Sequence, residues 1–102
     1  MLIRDHIADL LLAATQEAQR RGLIPDATLP TIIIERPQNP EHGDFACSLP
    51  LRLARVARLK PMDIAEALAP LIASDPALEQ IWTAPPGFIN FSLNRDWLLS
   101  LI

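Results

Sequence analysis

The sequence predicts an α+β fold: a small, mostly antiparallel sheet with helices packed on one face. Three observations predict it. A long N-terminal stretch repeats apolar residues at helical spacing, and two shorter stretches in the middle of the chain do the same. Residues 31–36, 81–84 and 88–93 are β-branched or alternating, as strands are. At 102 residues the chain is long enough for one modest core, so 1–102 is read as a single domain.

The first helix is expected over residues 2–21, where Leu2, Ile3, Ile7, Leu10, Leu11, Ala14 and Ala18 form one stripe. Gly22 is a natural stop, with Pro25 beyond it. "TIIIERP" at 31–37 follows as a strand that ends at a proline, and "QNPEHGD" is a loop dense in turn formers. In that loop Gly43 is expected to supply an unusual backbone angle. A second helix is expected from about Asp44. Either Asp44 or Ser48 could cap it, and Pro50 favours the later start for the regular part because proline suits a first turn. On this helix Arg52, Arg55 and Arg58 lie on one side, with Leu49, Leu53, Val56 and Ala57 on the other. Pro61 opens a third helix through "MDIAEALAPLI", which Asp75 and Pro76 close. "IWTA" and "FINFSL" read as a hairpin, although Pro85 and Pro86 argue against the usual two-residue turn. Asn94 then caps a final helix whose apolar Leu98, Leu101 and Ile102 meet no terminating signal, which predicts a continuation beyond Ile102.

Composition narrows the function. Half of the residues are hydrophobic and 21% are charged, a globular soluble composition. No apolar run approaches the roughly 20 residues of a membrane helix, so no membrane partner is expected. Cys47 is the only cysteine, so an internal disulfide is impossible; a small buried hydrophobe in a reducing, cytoplasmic compartment is expected. The net charge of −3 does not advertise a nucleic-acid binder, yet Arg52, Arg55, Arg58 and Lys60 form one basic cluster. Their simplest role is a solvated face with buried stems. Catalytic machinery is missing too. His42 and Asp44 in "EHGD" have no nucleophile or second histidine beside them, and the three glycines build no phosphate loop. Metal-ligand spacing is absent as well.

The last strand holds the oddest pattern. In extended form Ile89, Phe91 and Leu93 make an ordinary core face, while Phe88, Asn90 and Ser92 point to the side that should meet water. An aromatic ring beside a carboxamide is an unusual pair for a solvated face.

"ERPQNPEHGDFACSL", followed some forty residues later by "APPGFINFSL", resembles the N-terminal additional domain of arginyl-tRNA synthetases, and the likeness runs over essentially the whole chain. The resemblance implies a class I synthetase catalytic domain after Ile102 as an intramolecular partner. It also implies that ATP belongs to the parent enzyme. The family's two ATP-binding signatures are absent here, so this chain alone is expected to be non-catalytic and without a cofactor. The family domain contacts the D-loop of tRNA-Arg at the outer corner of the L. An unpaired loop base offers a π-face and a polar edge, so Phe88 is expected to stack and Asn90 to hydrogen-bond. Ser92, Arg52 and Arg55 are weaker candidates for sugar or phosphate contact. The alternative is a docking module whose exposed residues pack on the catalytic domain without touching RNA. The chain departs from the family pattern at Cys47, Ser48, Pro50 and Pro85, which bears on the start of the second helix and on the turn.

Overall fold

A computed structural model describes residues 2–100. It is an α+β domain with four α-helices and a four-stranded antiparallel sheet of order β1-β2-β4-β3.

Helix α1 spans Ile3–Arg20 and buries Ile7, Leu11, Ala14 and Ala18, the stripe that its spacing predicts. Gly22 ends it at φ 76°. There Leu23 N–H donates to the Ala18 carbonyl and Gly22 N–H to that of Gln19, a closure that needs a left-handed residue at this point. The expected strand at 31–36 shrinks to β1, Ile34–Glu35. Its upstream portion is held differently: the Arg52 guanidinium donates to the Thr31 carbonyl.

The largest departure follows the loop. Residues expected near the start of the second helix form instead a strand, β2, Phe45–Cys47, paired with β1 on one side and β4 on the other. Asp44 caps no helix. Strand β2 is too short to show a period, and only its two neighbours make it a strand. Helix α2, Leu49–Ala57, begins at the later of the two starts, with Pro50 in its first turn, although Ser48 makes no side-chain cap. Leu49 and Leu53 are buried, but Val56 is 57% exposed, so the apolar side of α2 is narrower than its pattern suggests.

Helix α3, Pro61–Leu68, continues as a 3-10 turn over Ala69–Leu71. The hairpin joins β3, Leu78–Ala84, to β4, Phe88–Leu93, through residues 85–87, with a cis Pro85-Pro86 bond. Helix α4, Arg95–Leu99, starts where expected: Asn94 Oδ1 accepts from Trp97 N–H at 2.9 Å. The expected continuation of its stripe through Leu101 and Ile102 lies outside the described residues.

All three longer helices cover the same face of the sheet. One cluster joins Ile7 and Leu11 of α1, Leu53 of α2 and Ile64 and Leu68 of α3 to Ile34, Phe45, Cys47, Ile89 and Phe91 of the sheet. Cys47 is fully buried there, and burial pushes its thiol pKa up. The opposite face carries no helix of this cluster, and it is where the polar residues of β4 point.

Candidate functional site

The register builds the site. Ala46 of β2 and Trp82 of β3 both lie opposite Asn90, and Glu35 of β1 lies opposite Ala46. Directly paired residues share a face, so Glu35, Ala46, Asn90 and Trp82 form one row across the sheet, away from the core. Phe88 stands next to Asn90 on that face, roughly 7 Å along β4, with Ala84 opposite.

The segment between β1 and β2 stands over this row. Asn39 starts a 3-10 turn over Pro40–His42, its side chain accepting from Glu41 N–H at 3.0 Å. Gly43 follows at φ 85°, as expected of an unusual backbone angle at this position. A Cβ on Gly43 would lie 2.6 Å from the Phe91 carbonyl oxygen and 2.8 Å from the Trp82 ring, so loop, ring and strand are in direct contact. Asp44 then bonds back to β4, its N–H donating to the Phe91 carbonyl and its carboxylate accepting from Leu93 N–H.

Between this loop and the sheet lies a cleft of about 390 Å³. Ala46 and Asn90 line it from the sheet, Phe88, Ala84 and Pro85 from the hairpin, and Glu35, Pro37, Gln38, Asn39 and His42 from β1 and the loop. Its size is that of a small-ligand site, and its lining is apolar with a few polar groups. No lysine or arginine lines it.

Phe88 and Asn90 come together as the alternation predicts, but Asn90 does not meet bulk water. It is 2% exposed, and its Oδ1 has no hydrogen-bond partner. The strand pattern gives the face, whereas burial on that face comes from neighbours distant in sequence. Ser92 lies on the same face outside the cleft, and its Oγ is also buried without a partner. Arg52 and Arg55 sit on α2, which packs against the other face of the sheet, and neither lines the cleft. Sequence reasoning left His42 a locally bonded loop residue and did not single out Glu35, Gln38 or Asn39 as site residues. The only signal for them was their place in the "ERPQNPEHGD" segment.

Among the described residues no group of three or more His, Cys, Asp or Glu side chains is placed to hold a metal ion. Nor is any described helix long and apolar enough to cross a membrane.

The class so defined is a helix-backed antiparallel-sheet domain with a ligand-sized cleft on its open face. Residues 2–93 match the family model described as the arginyl tRNA synthetase N terminal domain. An arginine–tRNA ligase of Dehalococcoides mccartyi (strain CBDB1) is 40% identical over 102 residues, which is 100% of this chain and 18% of that protein. Arginine–tRNA ligase 1 of Halalkalibacterium halodurans is 46% identical over 82 residues, 79% of this chain and 15% of that protein. Two solved structures share the fold. The arginyl-tRNA synthetase of Plasmodium falciparum superposes with a TM-score of 0.77 over 96% of this chain and 17% of its own, at 18% identity. That of Thermus thermophilus gives 0.75 over 98% and 15%, at 22% identity. The chain belongs to the arginyl-tRNA synthetase N-terminal domain family. It spans under a fifth of the length of these curated relatives.

Proposed function

We propose that this domain is the tRNA-binding appendage of an arginine–tRNA ligase, and that its cleft takes an unpaired base from the D-loop at the outer corner of tRNA-Arg. Phe88 stacks on the base and the Asn90 amide bonds its edge. The observation that carries this reading is the unpartnered Asn90 Oδ1, 2% exposed and beside a half-buried phenylalanine in an open cleft. A buried amide without a partner costs stability, and an occupant with an N–H would remove that cost.

The lining also argues for a base over a phosphate. A phosphate in the cleft would meet the Glu35 carboxylate and no arginine or lysine. A base is neutral, and an aromatic ring together with an amide fits its π-face and edge. Arginine, ATP and the chemistry of aminoacylation belong, on this reading, to the catalytic part of the cytoplasmic parent enzyme, which is also the domain's covalent partner.

The test is arginylation kinetics of the full-length enzyme with normal tRNA-Arg and with a tRNA abasic at the D-loop position. Phe88→Ala and Asn90→Ala should each lower kcat/KM on normal tRNA by about tenfold or more, since stacking and amide contacts are each worth roughly 1–3 kcal/mol. On the abasic tRNA the same variants should lose little. Equal losses on both tRNAs would assign the residues to docking on the catalytic domain instead.

A further inference from the structure

The cations of the sequence cluster Arg52, Arg55, Arg58 and Lys60 lie on the helix side of the domain, away from the cleft. The hairpin connects the two sides. Gly87 is buried against the helices: a Cβ there would lie 2.5 Å from Pro61 Cβ and 3.1 Å from Leu51 Cγ. The hairpin turn, whose Pro85 and Phe88 line the cleft, therefore rests on α2 and on the first residue of α3. Arg55 stands one helical turn along from Leu51, on the same side of α2. Lys60 precedes Pro61, and chain geometry keeps its Cα within about 13 Å of that of Phe88. Arg52 is separate from this group, since its guanidinium donates to the Thr31 carbonyl.

Arg55, Arg58 and Lys60 are exposed, and among the described residues none of them takes part in an ion pair. Arg58 also holds an unfavourable backbone. It ends α2 at φ 55°, the left-handed position that glycine fills at lower cost. Its side chain is in solvent, so packing does not call for an arginine there. A cation does suit a helix C-terminus, and stability is therefore read beside binding below.

We propose that Arg55, Arg58 and Lys60 form a phosphate track beside the hairpin, which holds the backbone of the RNA strand that enters the cleft. The proposal rests on the reading of the cleft as a base site. The cleft has no lysine or arginine of its own for the phosphates beside a bound base, and the cations just past the hairpin supply that charge. Phosphate contacts position a strand without reading its sequence, so the track adds affinity whatever the base.

The test is binding of tRNA-Arg to the full-length enzyme between about 50 and 200 mM salt, where counterion release is measurable. Each phosphate contact contributes roughly 0.7–0.9 to the slope of log affinity against log salt. Arg55→Gln, Arg58→Gly and Lys60→Gln should each flatten the slope by about that amount, and the triple variant by about 2 to 3. Glycine suits the left-handed position, so Arg58→Gly should not lower Tm. A tRNA abasic at the D-loop position should bind more weakly than normal tRNA, yet show the same flattening. Arg4→Gln is the control, an exposed cation at the start of α1, which the His6–Asp75 contact ties to the end of the sheet away from the hairpin. It should leave the slope unchanged. If Arg4→Gln flattens the slope as much as the others, the effect is one of net charge and the track falls. Unchanged slopes in the three variants, with the abasic tRNA impaired, sink the track and leave the base site standing. A lower Tm with an unchanged slope assigns the cations to structure and overturns the proposal too. An abasic tRNA that binds as well as the normal one removes the base site and the proposal with it.

Discussion

Asp44 and Leu93, 49 positions apart, are joined by a 2.8 Å hydrogen bond from the Leu93 backbone N–H to the Asp44 carboxylate. Strand β2 begins at Phe45, so beyond that point β4 has no partner strand on this side. The carboxylate takes the place of the missing backbone acceptor. It also anchors the end of the loop that stands over the cleft. Asp44→Ala leaves a part-buried N–H unpaired and should cost about 1–3 kcal/mol, read as a lower midpoint in urea unfolding. Asp44→Asn keeps a carbonyl oxygen at the same place and should recover most of the loss.

Gly43 is expected to tolerate no side chain. Its φ of 85° is strained for an L residue, and a Cβ would sit 2.8 Å from the Trp82 ring and closer still to the Phe91 carbonyl. Gly43→Ala should destabilise the domain by about 1–3 kcal/mol through overpacking, with additional backbone strain. Thermal unfolding measures the loss, and a structure of the variant should show the loop lifted from Trp82.

Asn90 should trade stability against binding. Asn90→Leu replaces a buried amide whose Oδ1 is unpaired by an apolar side chain of similar size. Folding should be unharmed or strengthened by about 1 kcal/mol, since the desolvation cost disappears. Engagement of tRNA by the full-length enzyme should fall. A variant that loses stability and binding together would mean that the amide is bonded in the folded domain.

Ile89 tests the opposite face. It is fully buried within the core cluster, so Ile89→Ala should cost about 2–5 kcal/mol. Ile89→Asp should leave the domain unfolded, because it buries an unpaired charge. Circular dichroism distinguishes these outcomes from Phe88→Ala, which removes a half-buried ring from the open face and should leave the fold intact.

Acid should weaken the tie between α1 and the segment before β3. Asp75 accepts from Ala77 N–H at 2.9 Å and bonds the His6 ring at 2.6 Å, and these contacts, the backbone one first, hold its pKa below the usual aspartate value. A folded-state pKa below the unfolded one stabilises at pH above the unfolded value and loses that contribution as pH falls through the folded one. The wild-type unfolding midpoint should therefore drop more steeply below about pH 4 than that of Asp75→Asn, which has no proton to take up there.

The sequence by itself determined the elements whose reason is local. The stripe from Ile7 to Ala18 makes α1, Gly22 ends it, Pro61 opens α3 and Asn94 caps α4, each through contacts within a few residues. The alternation in β4 likewise assigns Ile89 and Phe91 to the core and Phe88 to the other face, because side-chain direction follows strand geometry. Only the tertiary structure decided the rest. Phe45–Cys47 is a strand because β1 and β4 flank it, and Asp44 bonds Leu93 rather than a helix because β2 begins only at the next residue while β4 runs on past it. Val56 is exposed because α2 meets the core over a narrower arc than its apolar residues span. Asn90 is buried, and shares a cleft with Glu35 and His42, because the loop and the register bring together three segments far apart in the chain. Local periodicity fixes which way a side chain points, but its neighbours, and hence its burial and chemistry, are set by pairings that no single segment contains.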